Sequence, residues 1–288
     1  MKRTIAAKYV VLSMDALLTL LRNHPPVAAN LLAFLVLAAS ERGVARTVLW
    51  LVSGTFLGWL MEFSSTHNGF PFGAYTYHRG NYPDDVWLGT VPLFASVSFA
   101  ALTYFGYSAA LTLLSQLRRQ GWKLERIEVA DLATSWQVLM LATLLITWMD
   151  LVMDPVTHLG RYWFLGDLYD YEPGGLHFDV PLTNYLGWLI TSFTIVLTNQ
   201  GIDRALATAG RRAASAFDLP LRPLWSIGCQ AGTYVMMLVI TVYLMMSPEV
   251  PVETPLVGIL VSGLAFTAIY AAFVAVMLRV ALSPVGQV

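Results

Sequence analysis

LGTVPLFASVSFAALTYFGYSAALTLLSQL, residues 88–117, runs for thirty residues without one charged side chain. A helix needs about 20 mostly apolar residues to cross the hydrocarbon core of a bilayer, and this stretch exceeds that. Working outward, segments of the same character lie at about 26–40, 47–63, 132–153, 180–199, 225–246 and 255–278. A further stretch, 4–21, is interrupted by Lys8 and Asp15 and either spans or lies in the interface as an amphipathic helix. Of the 288 residues, 57% are apolar and 12% charged, against roughly 25% charged in a soluble chain. Together these features predict an all-α, polytopic transmembrane helical bundle of 7 or 8 spans, organised as a single integral-membrane domain over residues 1–288.

The remaining composition removes several functions. A net charge of −1 gives no basic face for a nucleic acid. The single cysteine, Cys229, permits neither an internal disulfide nor a cysteine metal cluster. The basic N-terminus (Lys2, Arg3, Lys8) is followed by an interrupted apolar stretch without a small-residue cleavage site, so no cleavable signal peptide is expected.

Charge then predicts orientation. Lys and Arg collect in alternate connections, 41–46, 118–131 and 201–224, with Arg279 after the last span. Loops that stay cytoplasmic retain such residues. With 4–21 spanning, fourteen of the seventeen basic residues are inside and both termini are cytoplasmic; with seven spans the N-terminus is outside. A multi-pass cell-membrane location is the expectation. Acids run the other way: eleven of eighteen lie at or beyond the opposite ends of the spans, so the two faces sum to +8 and −8, with Asp15 inside a helix. All five histidines, His24, His67, His78, His158 and His177, share the acidic face. The rule that sorts Lys and Arg is indifferent to acids, so another cause, chemistry, is expected there.

Two acidic-face segments are dense in aromatics and turn residues. One runs from Glu62 to Tyr77; the other runs from Trp148 through Asp150, Asp154 and Tyr162 to Trp188. Glu62 ends an apolar helix. Asp150 and Asp154 are spaced i, i+4 and share a helical face; Pro155 predicts that the helix stops at about Asp154. Ionisable groups at membrane depth are costly enough to be functional candidates, although Asp154 also suits a cap. Like carboxylates held close together in an apolar site cannot all ionise, which leaves an acid able to protonate a carbon–carbon double bond. Trp59, Phe70, Phe72, Tyr75, Tyr77, Trp148, Tyr162, Trp163 and Trp188 supply ring faces that could stabilise a carbocation; the interfacial aromatic belt is the structural alternative for each. Asn184 joins them as a hydrogen-bonding group around a water. The isolated histidines lack the paired spacing of di-iron sites. Asp150 and Asp154 match one prenyltransferase-like acidic motif without its second motif or basic partners, and no phosphate loop or GxSxG occurs.

At these segments the chain resembles the CruF-type carotenoid biosynthesis proteins, membrane carotenoid 1,2-hydratases with the bisanhydrobacterioruberin hydratases among them. The resemblance rests on Glu62 followed by Gly69-Phe-Pro-Phe-Gly-Ala-Tyr-Thr-Tyr77, Leu88-Gly-Thr-Val-Pro-Leu93, Met153-Asp-Pro-Val156 and Val180-Pro-Leu-Thr-Asn-Tyr-Leu-Gly-Trp188. It covers about residues 54–192, half the chain, in order. Between Gly160 and Val180 this chain departs from the family with a longer, more acidic link. The resemblance implies addition of water to the C1–C2 double bond of an acyclic carotenoid ψ-end group, lycopene-like or bacterioruberin-precursor-like, with no cofactor or metal and with membrane lipid as surroundings. Glu62, Asp150 and Asp154 are then the catalytic carboxylates, in roles left open. Two other classes remain at this point: a lycopene or terpene cyclase using the same cation without water, and a non-enzymatic carotenoid- or lipid-binding protein.

Overall fold

A computed structural model describes residues 19, 22–121, 123–127, 129, 131–210 and 215–283. Among the described residues there are seven helices: α1 (Pro25–Arg42), α2 (Val44–Asn68), α3 (Leu93–Leu114), α4 (Trp136–Thr157), α5 (Leu182–Thr208), α6 (Arg222–Met246) and α7 (Leu256–Leu282). Each overlaps one of the seven apolar segments, while the predicted segment 4–21 lies, apart from Thr19, outside the described residues. The chain is mostly helical, and α2, α3, α4, α6 and α7 are long and apolar enough to cross a membrane. The others carry more polarity: α1 is 18 residues closed by Glu41 and Arg42, and α5 has Asn184, Asn199 and Gln200 along its length.

The uncharged run that stood out in the sequence supplies the axis of the bundle. Helix α3 is buried on almost every side, which is why it is apolar all round rather than on one stripe. The other helices pack around it. Within a membrane, close packing substitutes for hydrophobic force, and small residues permit it. A Cβ on Gly54 of α2 would lie 2.9 Å from Ala100 Cα of α3, and one on Gly106 of α3 would lie 2.3 Å from Ile146 of α4. The Trp50 indole N–H donates to Ala100 O at 3.1 Å and ties α2 to α3.

The two ends of the bundle differ in chemistry. At one end, basic and acidic side chains lock the helices together. Arg42 and Arg46 both pair with Asp203 of α5, the latter at 2.6 Å. Glu41 accepts from Arg126 at 2.7 Å, from Tyr104 at 2.8 Å and from Ser108 at 3.0 Å. Arg126 comes from a hairpin of β4 (Leu117–Gln120) and β5 (Lys123–Arg126). At the other end, two connections form a lid. In it, β1 (Tyr75–Tyr77) pairs antiparallel with β6 (Tyr169–Tyr171), beside a short ribbon of β2 (Trp87–Leu88) and β3 (Val91–Pro92). The bundle is all-α as composition predicts, and the three ribbons add order that composition did not announce.

Candidate active site

Three helix ends converge beneath the lid. Helix α2 brings Glu62, 5% exposed, and is ended by Gly69 at φ 78°, whose N–H bonds Ser65 O at 2.9 Å. Helix α4 brings Asp150 and Asp154, 1% and 5% exposed. The expected stop at Asp154 is corrected: α4 continues through Pro155 to Thr157. Pro155 removes one amide donor, but the turn is closed by His158 N–H on Asp154 O at 2.9 Å. Asp154 therefore projects from within the helix, on the same face as Asp150. Opposite them the first turn of α5 presents Asn184, whose amide nitrogen donates to Asp150 Oδ2 at 2.7 Å and to Asp154 Oδ2 at 2.9 Å.

The three carboxyl groups are served unequally. Asp154 also accepts from the Tyr169 hydroxyl, from the Tyr171 hydroxyl at 2.7 Å and from the Thr157 hydroxyl at 3.2 Å, four donors in all with Asn184. Glu62 accepts from the Tyr77 hydroxyl on Oε1 at 2.5 Å. Glu62 Oε2 and Asp150 Oδ1 are buried and have no hydrogen-bond partner among the described residues. Leaving an acceptor buried and bare costs about 1–3 kcal/mol, so both oxygens are set out for something that is not protein. The ribbon supplies the phenols: Tyr75 opposes Tyr171 and Tyr77 opposes Tyr169. Burial, and then the neighbouring carboxylates, hold these four phenols well above the ordinary tyrosine range, so they remain O–H donors.

These groups open on a cavity of about 180 Å³, continuous with the exterior. Its aromatic wall is built by Phe72, Phe99 and Trp188, with Phe99 and Trp188 stacked at 4.7 Å between ring centroids. Gly187 makes room for that wall, since a Cβ there would sit 2.3 Å from Phe72 Cδ1. Of the residues singled out in the sequence, Glu62, Asp150, Asp154 and Asn184 line the cavity together with Phe72, Tyr75, Tyr77, Trp163 and Trp188. Four others do not. Trp148, two residues before Asp150 and so on the far side of α4, donates to Phe266 O of α7 at 3.1 Å. Trp59 donates to Leu88 O at 3.0 Å and packs between Phe56 and Phe63. Phe70 is 57% exposed, and Tyr162 packs in a short helical turn away from the lining.

Sequence reasoning missed Tyr169, Tyr171 and Thr157, and the wall residues Phe94 and Phe99. A signal for the tyrosines existed: Tyr-Asp-Tyr at 169–171 repeats the alternation of Tyr-Thr-Tyr at 75–77, the period of a strand. The link 160–180 is what carries them. It is anchored on its outer side: His78 contacts Asp167 at 3.1 Å and Asp170 at 3.3 Å, and Arg161 reaches the same pair at 3.1 and 3.3 Å.

The family model described as "Carotenoid biosynthesis protein" matches residues 26–250. A bisanhydrobacterioruberin hydratase from Haloarcula japonica is 31% identical over 162 residues, covering 56% of this chain and 47% of that protein. The match thus spans about half the length of that relative. No solved structure matches the chain.

Proposed function

This chain belongs to the carotenoid biosynthesis protein family, and on that footing we propose that it is a carotenoid hydratase, adding water across the C1–C2 double bond of an acyclic ψ-end group. The observation that carries the reading is the pair of bare, buried oxygens, Glu62 Oε2 and Asp150 Oδ1, on one aromatic-walled cavity. Hydration needs a group that gives a proton to carbon and takes one back from the attacking water. Asp150 faces Asp154 through the single amide of Asn184. Two carboxyl groups so placed do not both carry charge. Asp154, with four donors, keeps it, and Asp150 retains the proton. In this reading Asp150 protonates C2, the tertiary cation forms at C1, and a water held by Glu62 Oε2 attacks C1 while its proton passes to the carboxylate left on Asp150. The alkene and one water become one tertiary alcohol, and both carboxyl groups end in their starting states. The faces of Phe72, Phe99 and Trp188 supply the cation–π stabilisation expected of such a site. Asp154 acts as a fixed anion that orients Asn184 and the tyrosine lid. In the bilayer the end carrying Arg42, Arg46 and Arg126 faces the cytoplasm in this proposal, with 7 or 8 spans in the cell membrane.

The test is coexpression with an enzyme set that makes lycopene. The expected product gains the mass of one water per modified end. Asp150→Asn and Glu62→Gln are expected to lower turnover at least about 100-fold, the scale of a lost acid or base. In D₂O they part: Glu62→Gln still exchanges deuterium into recovered alkene, whereas Asp150→Asn does not. Unchanged carotenoid from correctly folded native protein refutes the hydratase, and an isomer of unchanged mass replaces it with a cyclase.

A further inference from the structure

Among the described residues, the hydrogen bonds that tie α1 to α6 and the connection before it lie at the basic end. There, Arg222 Nη1 at the start of α6 donates to Ser40 O of α1 at 2.6 Å, and the N–H of Ala216, in that connection, donates to Ala39 O at 3.0 Å. Towards the carboxylate end the cavity lies between them, bounded by Val27 and Asn30 of α1 and by Thr233, Met236 and Met237 of α6. Counted at 1.5 Å per residue from the basic ends of their helices, Asp150, Val27 and Met236 all lie roughly 20 Å along. The cavity therefore runs sideways from the carboxyl groups to the α1–α6 seam. Val27, Asn30 and Met236 are only partly buried, so this wall reaches the surface. No charged side chain stands on either helix along the seam, and the two methionines present flexible, polarizable thioethers that shape themselves to an irregular apolar guest.

We infer that the seam between α1 and α6 is a lateral port, through which the polyene of the substrate enters from lipid and in which it lies while its end group sits at the carboxyl groups. This rests on the carotenoid reading above and adds the path and the residues that measure the chain, Val27 and Met236. A forty-carbon polyene outruns the cavity, so its remainder lies in the bilayer. A short isoprenoid bearing the same end group makes far less use of the seam.

The experiment compares native protein with Met236→Trp, Val27→Trp and Val235→Trp, each purified from cells that accumulate lycopene. Val235, at the depth of Met236, is 56% exposed on the outside of α6. Retained polyene per protein is read by absorbance, and hydration of lycopene and of a short ψ-ended isoprenoid is read by mass. Met236→Trp and Val27→Trp are expected to lose polyene and lycopene turnover about tenfold or more while keeping the short substrate, and Val235→Trp is expected to match native protein. Should one seam variant fail to fold, the other, on the facing helix, decides. Polyene retention unchanged in the seam variants, or lost equally in Val235→Trp, overturns the port. Native protein that retains polyene without hydrating it overturns the hydratase reading and leaves the port to the tryptophan comparison. Native protein that retains none overturns both.

Discussion

Asn184→Ala removes one amide that serves two carboxyl groups at once, and the cost is expected to fall almost wholly on one of them. A buried group that loses its sole partner costs about 1–3 kcal/mol, whereas one hydrogen bond among several contributes about 1 kcal/mol. Asp154 keeps the Tyr169, Tyr171 and Thr157 hydroxyls when the amide goes, whereas Asp150 loses the one partner it has among the described residues. The single substitution should therefore destabilise the fold by about 2–4 kcal/mol, mostly through a carboxyl group left buried and bare. In an Asp150→Ala background the same change strips Asp154 of one donor in four, at about 1 kcal/mol. The double-mutant cycle is then expected to show a coupling of about 1–3 kcal/mol. Reversible unfolding of the four proteins in mixed micelles, titrated with a denaturing detergent, measures it. Additivity within about 0.5 kcal/mol, the behaviour of independent sites, would refute the shared amide as the link between the two acids.

Gly187→Ala places a methyl 2.3 Å from Phe72 Cδ1 and is expected to cost about 1–3 kcal/mol by overpacking; the unfolding midpoint should fall and ligand-induced quenching of Trp188 should change with it. Arg126→Met leaves Glu41, whose side chain is 2% exposed, without its cation, and is expected to cost about 3–5 kcal/mol; adding Glu41→Gln should recover part of that loss in the same unfolding assay. Burial lowers the His177 imidazole below the ordinary histidine value, and Asp154 offsets this only partly. The unfolded chain then binds that proton more readily, so the stability from neutral His177 is full above about pH 6.5 and is lost as the pH falls through the lowered value. Thermal midpoints measured between pH 5 and 8 should fall on the acid side in native protein and fall less in His177→Asn; parallel curves would remove His177 from the account.

Much of the fold was legible because membrane helices announce themselves by length and by absence of charge. Residues 88–117 read as a span, and α3 is the buried axis within it. The i, i+4 spacing of Asp150 and Asp154 placed both on one face, and Asn184 touches both. Position along a helix was harder to read than position around it. Pro155 suggested a stop, yet a proline in a last turn forfeits a single hydrogen bond, and the His158 amide closed the turn beyond it. The aromatics were least legible. Trp148 and Trp188 are equally apolar in sequence, but one faces α7 and the other the cavity, and only the packing of neighbouring helices distinguishes them. Tyr169 and Tyr171 were hidden because a three-residue strand has meaning only beside its partner, some ninety residues earlier in the chain.

The β1–β6 ribbon is governed by parity. Successive side chains of a strand point to opposite faces, so the four tyrosines share the cavity face, while Thr76 and Asp170 share the other, where Asp170 meets His78 and Arg161. Deleting one residue inside either strand would exchange the faces, turning phenols out to water and a carboxylate in towards Asp154. Loop lengths outside the three paired positions are free to drift, but within them the lid counts in twos.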